Sequence, residues 1–219
     1  MREKSDAPGR RVVVAGDAGY PSGLADLADP PQRLFVAGVL SDGGTAVIGT
    51  RRPSGAALHF VAALTPLVPG PIVAGLAPGI DEAAHRAALR AGLATVAYVP
   101  GSLDEPYPDR DGALAAEIVA AGGALVAEKS DGPPTPDAFV RRDRLQAAHA
   151  RAVVLVESEI AGGAMHTMRF AAALGRPRFA LAPRAGSRTD GNARALGDGA
   201  LPLPWDAAAA ARIIVDALR

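Results

Sequence analysis

Thr45-Ala46-Val47-Ile48-Gly49-Thr50-Arg51-Arg52-Pro53-Ser54-Gly55 is the stretch that decides how this chain folds. Residues 46–48 are apolar throughout, as in a strand buried on both faces. Gly49 breaks the strand and lets the backbone turn tightly. Pro53 suits the first position of a helix, and residues 56–64 then carry apolar side chains at helical spacing. A buried strand, a glycine turn and a helix together form the repeating unit of a parallel sheet.

The unit recurs down the chain. Short apolar runs stand at 71–74, 94–99, 124–127, 152–156 and 178–181, with Ala-rich helical spacing at 81–91, 113–121, 137–148 and 166–174 between them. Strands of continuous apolar character alternating with helices predict an α/β fold, a doubly wound parallel sheet covered on both faces. In such a sheet, ligands bind beyond the carboxyl ends of the strands, where glycine turns feed helix N-termini. Upstream, residues 1–44 read as an N-terminal extension packing on the core, with short strands at 11–15 and 34–38 and a short helix carrying Leu24 and Leu27. Asp29-Pro30-Pro31 stops that helix, because a residue before proline is pushed out of the α region. Residues 45–200 form the expected core, and residues 201–219 a C-terminal helix.

Composition narrows the function. The chain has 219 residues, 49% hydrophobic and 21% charged, an ordinary globular mixture, with 25 Gly and 19 Pro that imply many short elements. Its 23 cations balance 23 anions, which excludes a polybasic protein and leaves nucleic-acid binding only to clustered charge. Of those cations 21 are Arg, whose planar fork matches phosphate oxygens, although a coding bias explains the bulk count equally well. With no Cys, thiolate nucleophiles, disulfides and cysteine-ligated metals drop out, and no metal or cofactor site is expected. No signal peptide or membrane-spanning run is evident, so a cytoplasmic location is the default expectation.

Four regions offer chemistry. In the first turn, Gly49, Thr50, Arg51 and Ser54 make a plausible anion cradle without the GxxxxGK[ST] of a P-loop; an ordinary turn with solvated arginines fits the same residues. The second, residues 74–85, holds Gly75 and Gly79 with Asp81 as an expected helix N-cap and His85 one turn later. Asp81 and His85 suit acid–base work, but a cap beside a packed histidine is the simpler account, because no Ser, Cys or metal cluster accompanies them. The third is Arg141, Arg142 and Arg144 around Asp143, a positive run echoed between Arg176 and Arg194; both lie near strand ends, and either a converging basic face or solvated helix surface accounts for them. The fourth is Glu157, then Gly162, Gly163 and Thr167, again a glycine turn opening a helix. Glu157 is placed to contact a ribose or base, or else to pair with an arginine. Gly191-Asn192 looks like one more helix start, with Asn192 as its cap.

In order and spacing these motifs resemble the DprA/Smf family of DNA-processing proteins. The matching residues are Tyr20-Pro21 with Leu24, Asp29-Pro30-Pro31 with Leu34-Phe35 and Gly38, and Gly49-Thr50-Arg51 with Ser54. They continue through Gly75-Leu76-Ala77, Gly79-Ile80-Asp81 with Ala84-His85, Gly101 with Tyr107-Pro108, and Phe139 with Arg142 and Arg144. Val156-Glu157, Gly163-Ala164-Met165-His166-Thr167, Gly175-Arg176-Pro177 and Gly191-Asn192 complete the set. The resemblance implies an extended Rossmann-like fold of the DprA/LOG type and binding of single-stranded DNA by Gly49, Thr50, Arg51, Ser54, Gly75, Gly79, Arg142, Arg144, Gly163 and Thr167. It also implies a homodimer and transfer of the strand to a RecA-type recombinase during DNA uptake, with no catalytic residue. The length is expected to leave no room for a further helical or winged-helix domain. Pro78, Asp143 and Gly162 stand where typical members carry a basic residue, Asn and Ser. The alternative is a pocket for a small nucleotide, as a sensor or phosphoribohydrolase, lined by Thr50, Glu128, Glu157 and Thr167 with Asp81 and His85 nearby; the PGGxGTxxE signature of the hydrolases is missing.

Overall fold

The computed structural model describes residues 9–104, 112–184 and 188–219. The Tyr107-Pro108 motif lies outside them. Nine strands form one sheet in the order β1-β2-β6-β5-β4-β3-β7-β8-β9. At its centre, β3 (Thr45–Ile48) pairs in parallel with β4 (Ile72–Ala74) on one side and β7 (Ala152–Leu155) on the other. The chain winds outward from β3 through β4, β5 (Thr95–Val99) and β6 (Ala124–Ala127). It then crosses back to β7 and winds the opposite way through β8 (Arg178–Leu181) and β9 (Leu201–Leu203). The reversal between β3 and β7 is the topological switch point, where the connections on either side diverge and leave a crevice.

Side-chain alternation along each strand feeds two layers of core. Ile48, Val73, Tyr98, Val126 and Leu155 point into one apolar cluster; Val47, Ile72, Val154 and Phe179 point into another on the opposite face. Against the second face lie α1 (Gly55–Leu64), α2 (Ile80–Arg90), α3 (Ala113–Ala120) and α7 (Ala207–Asp216); against the first lie α4 (Pro136–His149), α5 (Ala164–Ala173) and α6 (Asp190–Gly197). Among the described residues no helix is long and apolar enough to cross a membrane.

Both ends of the sheet depart from the sequence expectation. The N-terminal extension does not merely rest on the core: β1 (Arg10–Val14) and β2 (Arg33–Gly38) join the sheet as antiparallel strands, β2 pairing with β6, so the sheet is mixed. Between them a 3-10 turn over Ser22–Asp26 packs Leu24 beneath α4. At the other end, residues 201–219 are not all helix. Leu201–Leu203 is β9, paired only with β8. Its central Pro202 disguised the strand, since proline is tolerated only where no ladder hydrogen bond is needed, as on an edge.

Candidate functional site

A cavity of about 320 Å³ opens at the switch point. Its floor is the end of β3 and the turn after it, Ile48 to Arg52; the turn after β7 contributes Ser158 and Glu159. One wall is a stripe of α4, Phe139, Arg142, Asp143 and Gln146, and the facing wall is the start of α5, Gly163 to Thr167. Backbone hydrogen bonds fix the two turns to each other, with Thr50 N donating to Glu157 O at 2.7 Å and Val156 N to Ile48 O at 3.0 Å. The space beside Gly163 is open, with nothing within 4 Å of where a Cβ would stand.

Arg142 is the buried cation of this site, 8% exposed. Its Nε lies 3.2 Å from Asp143 Oδ1, and Nη1 donates to Tyr98 O at 3.2 Å. The Gln146 carbonyl accepts from Arg142 Nη1 and from Gly75 N. A Cβ on Gly75 would stand 1.6 Å from Arg142 Nη1, so this glycine makes room for the guanidinium. Burial lifts the Asp81 carboxyl to about 6 and the Asp143 carboxyl to about 7, against the pull of Arg142 and Arg51. Near neutral pH the carboxyls beside Arg142 are therefore incompletely ionised. Arg51 and Arg52 are exposed at the mouth, with the Arg51 guanidinium 5.9 Å from the centre of the Phe139 ring.

Of the residues singled out in the sequence, the cavity gathers Gly49, Thr50, Arg51, Asp81, Phe139, Arg142, Asp143, Gly162, Gly163 and Thr167. The others stand elsewhere. Ser54 caps α1 by accepting from Ala57 N at 3.1 Å; its own N and Oγ donate to Glu157 at 2.8 and 2.7 Å. Glu157 is thus a brace between the end of β7 and the start of α1, and among the described residues its carboxylate is engaged by Ser54 rather than by an arginine. Gly79, at φ 94°, is the residue that caps α2, so Asp81 lies inside the helix rather than at its N-cap. His85 is fully buried behind the site: Nε2 donates to Gly75 O, Nδ1 lies 2.7 Å from Thr95 Oγ1, and burial lowers its pKa to about 4. It does not touch Asp81 by hydrogen bond and packs as a neutral ring. Arg144 and Glu128 meet each other on the far side of α4. Asn192 does not cap α6: Thr189 does, while Asn192 is buried, accepting from Ser158 N at 2.9 Å and donating to Val156 O at 2.9 Å.

Sequence reading passed over Arg52, Gln146, Ser158 and Glu159 as site residues. Ser158 and Glu159 directly follow a central strand, and Gln146 stands four residues after Arg142 on one helix face, so strand ends and i, i+4 spacing carried the signal.

Fold and cleft together define a doubly wound, Rossmann-like α/β protein with an arginine-bearing crevice at its switch point. A family model for "DNA recombination-mediator protein A" matches residues 11–210. The chain belongs to this DprA/Smf family of DNA-processing proteins. It is 35% identical over 183 residues to Protein Smf of Escherichia coli, covering 80% of this chain and 49% of that protein. The chain therefore spans about half the length of this relative. Among solved structures, DNA processing protein A of Streptococcus pneumoniae superposes with a TM-score of 0.84 at 28% identity, over 94% of this chain and 73% of that one. DNA processing protein A of Helicobacter pylori, described for a single-stranded DNA binding mode, gives 0.83 at 26% identity over 99% of both chains.

Proposed function

We propose that the switch-point cleft binds single-stranded DNA, with a backbone phosphate held by Arg51, Arg52 and Arg142 and by the amide-rich start of α5. The observation that carries this reading is the convergence of the Gly49–Arg52 turn, Arg142 and Gly163–Thr167 in one cavity. Guanidinium forks and a helix N-terminus are complementary to phosphate oxygens. Phe139, beside the Arg51 guanidinium at the mouth, adds an aromatic side chain to the edge of the cleft. The single-stranded DNA binding described for the Helicobacter pylori neighbour supports the assignment. In this reading the chain works as a homodimer and passes its strand to a RecA-type recombinase, in keeping with the recombination-mediator family.

Fluorescence anisotropy of a labelled oligothymidine tests it. Affinity falls as salt rises, because phosphate contacts release counterions. Arg51→Ala weakens binding about tenfold and flattens the salt slope by roughly 0.7, one phosphate on a single strand. Binding that is missing at low salt, or indifferent to salt, ends the proposal.

A second reading has its own observation. The cavity has room for one mononucleotide, and Asp81, Asp143 and Glu159 line it beside the hydroxyls of Thr50, Ser158 and Thr167. Carboxylates suit the ribose hydroxyls and base N–H groups of a small nucleotide better than a long polyanion. Glu128 and Glu157, expected for such a pocket, do not line it. Thermal-shift measurements with nucleoside mono- and diphosphates distinguish the two readings: a raised Tm at millimolar nucleotide favours this one, and an unchanged Tm rejects it.

A further inference from the structure

The switch-point cleft holds hydrogen-bond donors that the protein itself leaves unused. At the start of α5, Met165 N and His166 N donate to Gly162 O and Gly163 O, while Gly163 N and Ala164 N have no acceptor among the described residues. Thr167 is 1% exposed and lines the cavity, yet its hydroxyl makes no hydrogen bond among the described residues. On the facing wall Arg142 is engaged through Nε and Nη1, by Asp143, Tyr98 O and Gln146, and its Nη2 has no partner among the described residues. Thr50 Oγ1 accepts from Arg52 N at 3.2 Å and keeps its own proton free. Each carboxylate of the cavity, by contrast, already faces a donor of the protein: Asp143 lies 3.2 Å from Arg142 Nε, Asp81 accepts from the Ala77 amide, and Glu159 lies 2.6 Å from Arg188 Nη1. Leaving buried donors unpaired is costly, so several of them in one cavity outline an acceptor-rich anion.

The depth of these donors bears on which phosphate they suit. A phosphate in mid-strand has two free oxygens and a nucleoside on each of the others. To reach Thr167 and Arg142 it must descend into a cavity with room for one nucleotide and still lead two chain arms back out. A phosphate at a strand end has three free oxygens, a charge of about −1.5 to −2 at neutral pH, and a single arm. It fits beneath the mouth with its oxygens toward the unused donors, and Arg51 and Arg52, exposed above it, match its second charge.

We infer that the switch-point cleft recognises the phosphorylated end of a single strand, a phosphate monoester, in preference to the phosphodiesters along it. The inference rests on the single-stranded DNA reading above and sharpens its ligand. The Gly163 and Ala164 amides, the Thr167 hydroxyl and Arg142 Nη2 hold the terminal oxygens, and the strand leaves past Arg51 and Arg52. A free nucleoside monophosphate carries the same monoester, and the experiment separates these two sources.

Competition against a labelled oligothymidine, read by fluorescence anisotropy, tests it. The competitors are twelve-mers of thymidine with a 5′-phosphate, a 3′-phosphate or hydroxyls at both ends. A hydroxyl-ended thirteen-mer adds a charge without a monoester, and thymidine 5′-monophosphate supplies the monoester without a strand. The expected result is that a phosphorylated twelve-mer, at one end or the other, binds about tenfold more tightly than either hydroxyl-ended strand, and that Thr167→Val shrinks this preference to about threefold or less. Valine keeps the shape of threonine, and a circular dichroism melt checks the fold; the comparison of strands on the unaltered chain stands without the variant. Equal affinity for all four strands rejects end recognition and leaves the single-stranded DNA reading in place. A preference that survives undiminished in folded Thr167→Val overturns the assignment of these donors. Thymidine 5′-monophosphate that competes as well as the phosphorylated strand overturns the strand as the source and assigns the monoester to a free nucleotide. If no oligonucleotide binds even at low salt, both readings fall.

Discussion

The two rims of the sheet use arginine in opposite ways. At the amino rim, Arg176 is consumed by structure: one Nη2 donates to Asp26 at 2.6 Å, to Ala148 O at 3.1 Å and to Gly23 O at 3.4 Å. It fastens the 3-10 turn of the N-terminal segment to the end of α4. Arg151 donates to Leu218 O at 3.1 Å, tying down the C-terminus in the same way. At the carboxyl rim, Arg51 and Arg52 are exposed at a cavity mouth, and Arg142 is buried among carboxyls held partly protonated. The difference teaches that in a protein rich in arginine, count says little; what matters is whether the fork is filled by backbone carbonyls or left facing a cavity.

The largest expected effect comes from removing the residue common to both roles at the carboxyl rim. Arg142→Ala deletes the cation between Asp81 and Asp143 and leaves Tyr98 O and Gln146 short of a donor. Breaking a buried pair by removing one partner costs about 3–5 kcal/mol, here near the lower end because both carboxyls take up protons instead. Urea denaturation reads this as a lowered midpoint with the slope unchanged. Arg176→Ala is expected to cost less, about 1–3 kcal/mol, since it strands acceptors that water reaches more easily. Hydrogen exchange then quickens across Ser22–Asp26, while oligonucleotide affinity stays as it was. Equal loss of affinity in both variants would erase the distinction between the rims.

Much of this contrast was legible beforehand, but unevenly. The central strands announced themselves because they are apolar on both faces, and Gly49, Gly75 and Gly163 marked the turns at their ends. Roles inside a turn were not legible. Nothing in Arg142-Asp143-Arg144 says that the two arginines leave α4 in different directions, one to the cleft and one to Glu128. That follows from about 100° of helical rotation per residue together with where the N-terminal segment docks, a tertiary fact. Ser54 and Glu157 each looked like a ligand group, yet they satisfy each other across 103 residues. β9 was hidden by a proline that only an edge position tolerates.

The finest test of the contrast is pH. Asp143 titrates at about 7 and Asp81 at about 6, both raised from 3.8 mainly by burial, with Arg142 and Arg51 facing them. Lowering pH from 8 to 6 discharges first Asp143 and then much of Asp81, so the carboxyl rim becomes more positive and anion affinity rises a few-fold. At the amino rim the buried histidine does not change charge in that interval: His149, neutral between Tyr98 and Ser41, is lowered to about 4 by burial. Stability obeys the opposite bookkeeping for the two kinds of group. The raised aspartates favour the fold fully below 3.8, and that contribution is lost as pH rises through 6 and 7; the depressed His85 and His149 favour it above 6.5, and theirs is lost as pH falls through 4. Asp143→Asn keeps the shape and removes the charge. It should bind oligonucleotide more tightly than the unaltered chain at pH 8, equal it near pH 6, and show a higher Tm at pH 8 whose advantage fades by pH 5. An affinity profile for this variant as steep as the original between pH 8 and 6.5 would place the controlling proton elsewhere than beside Arg142.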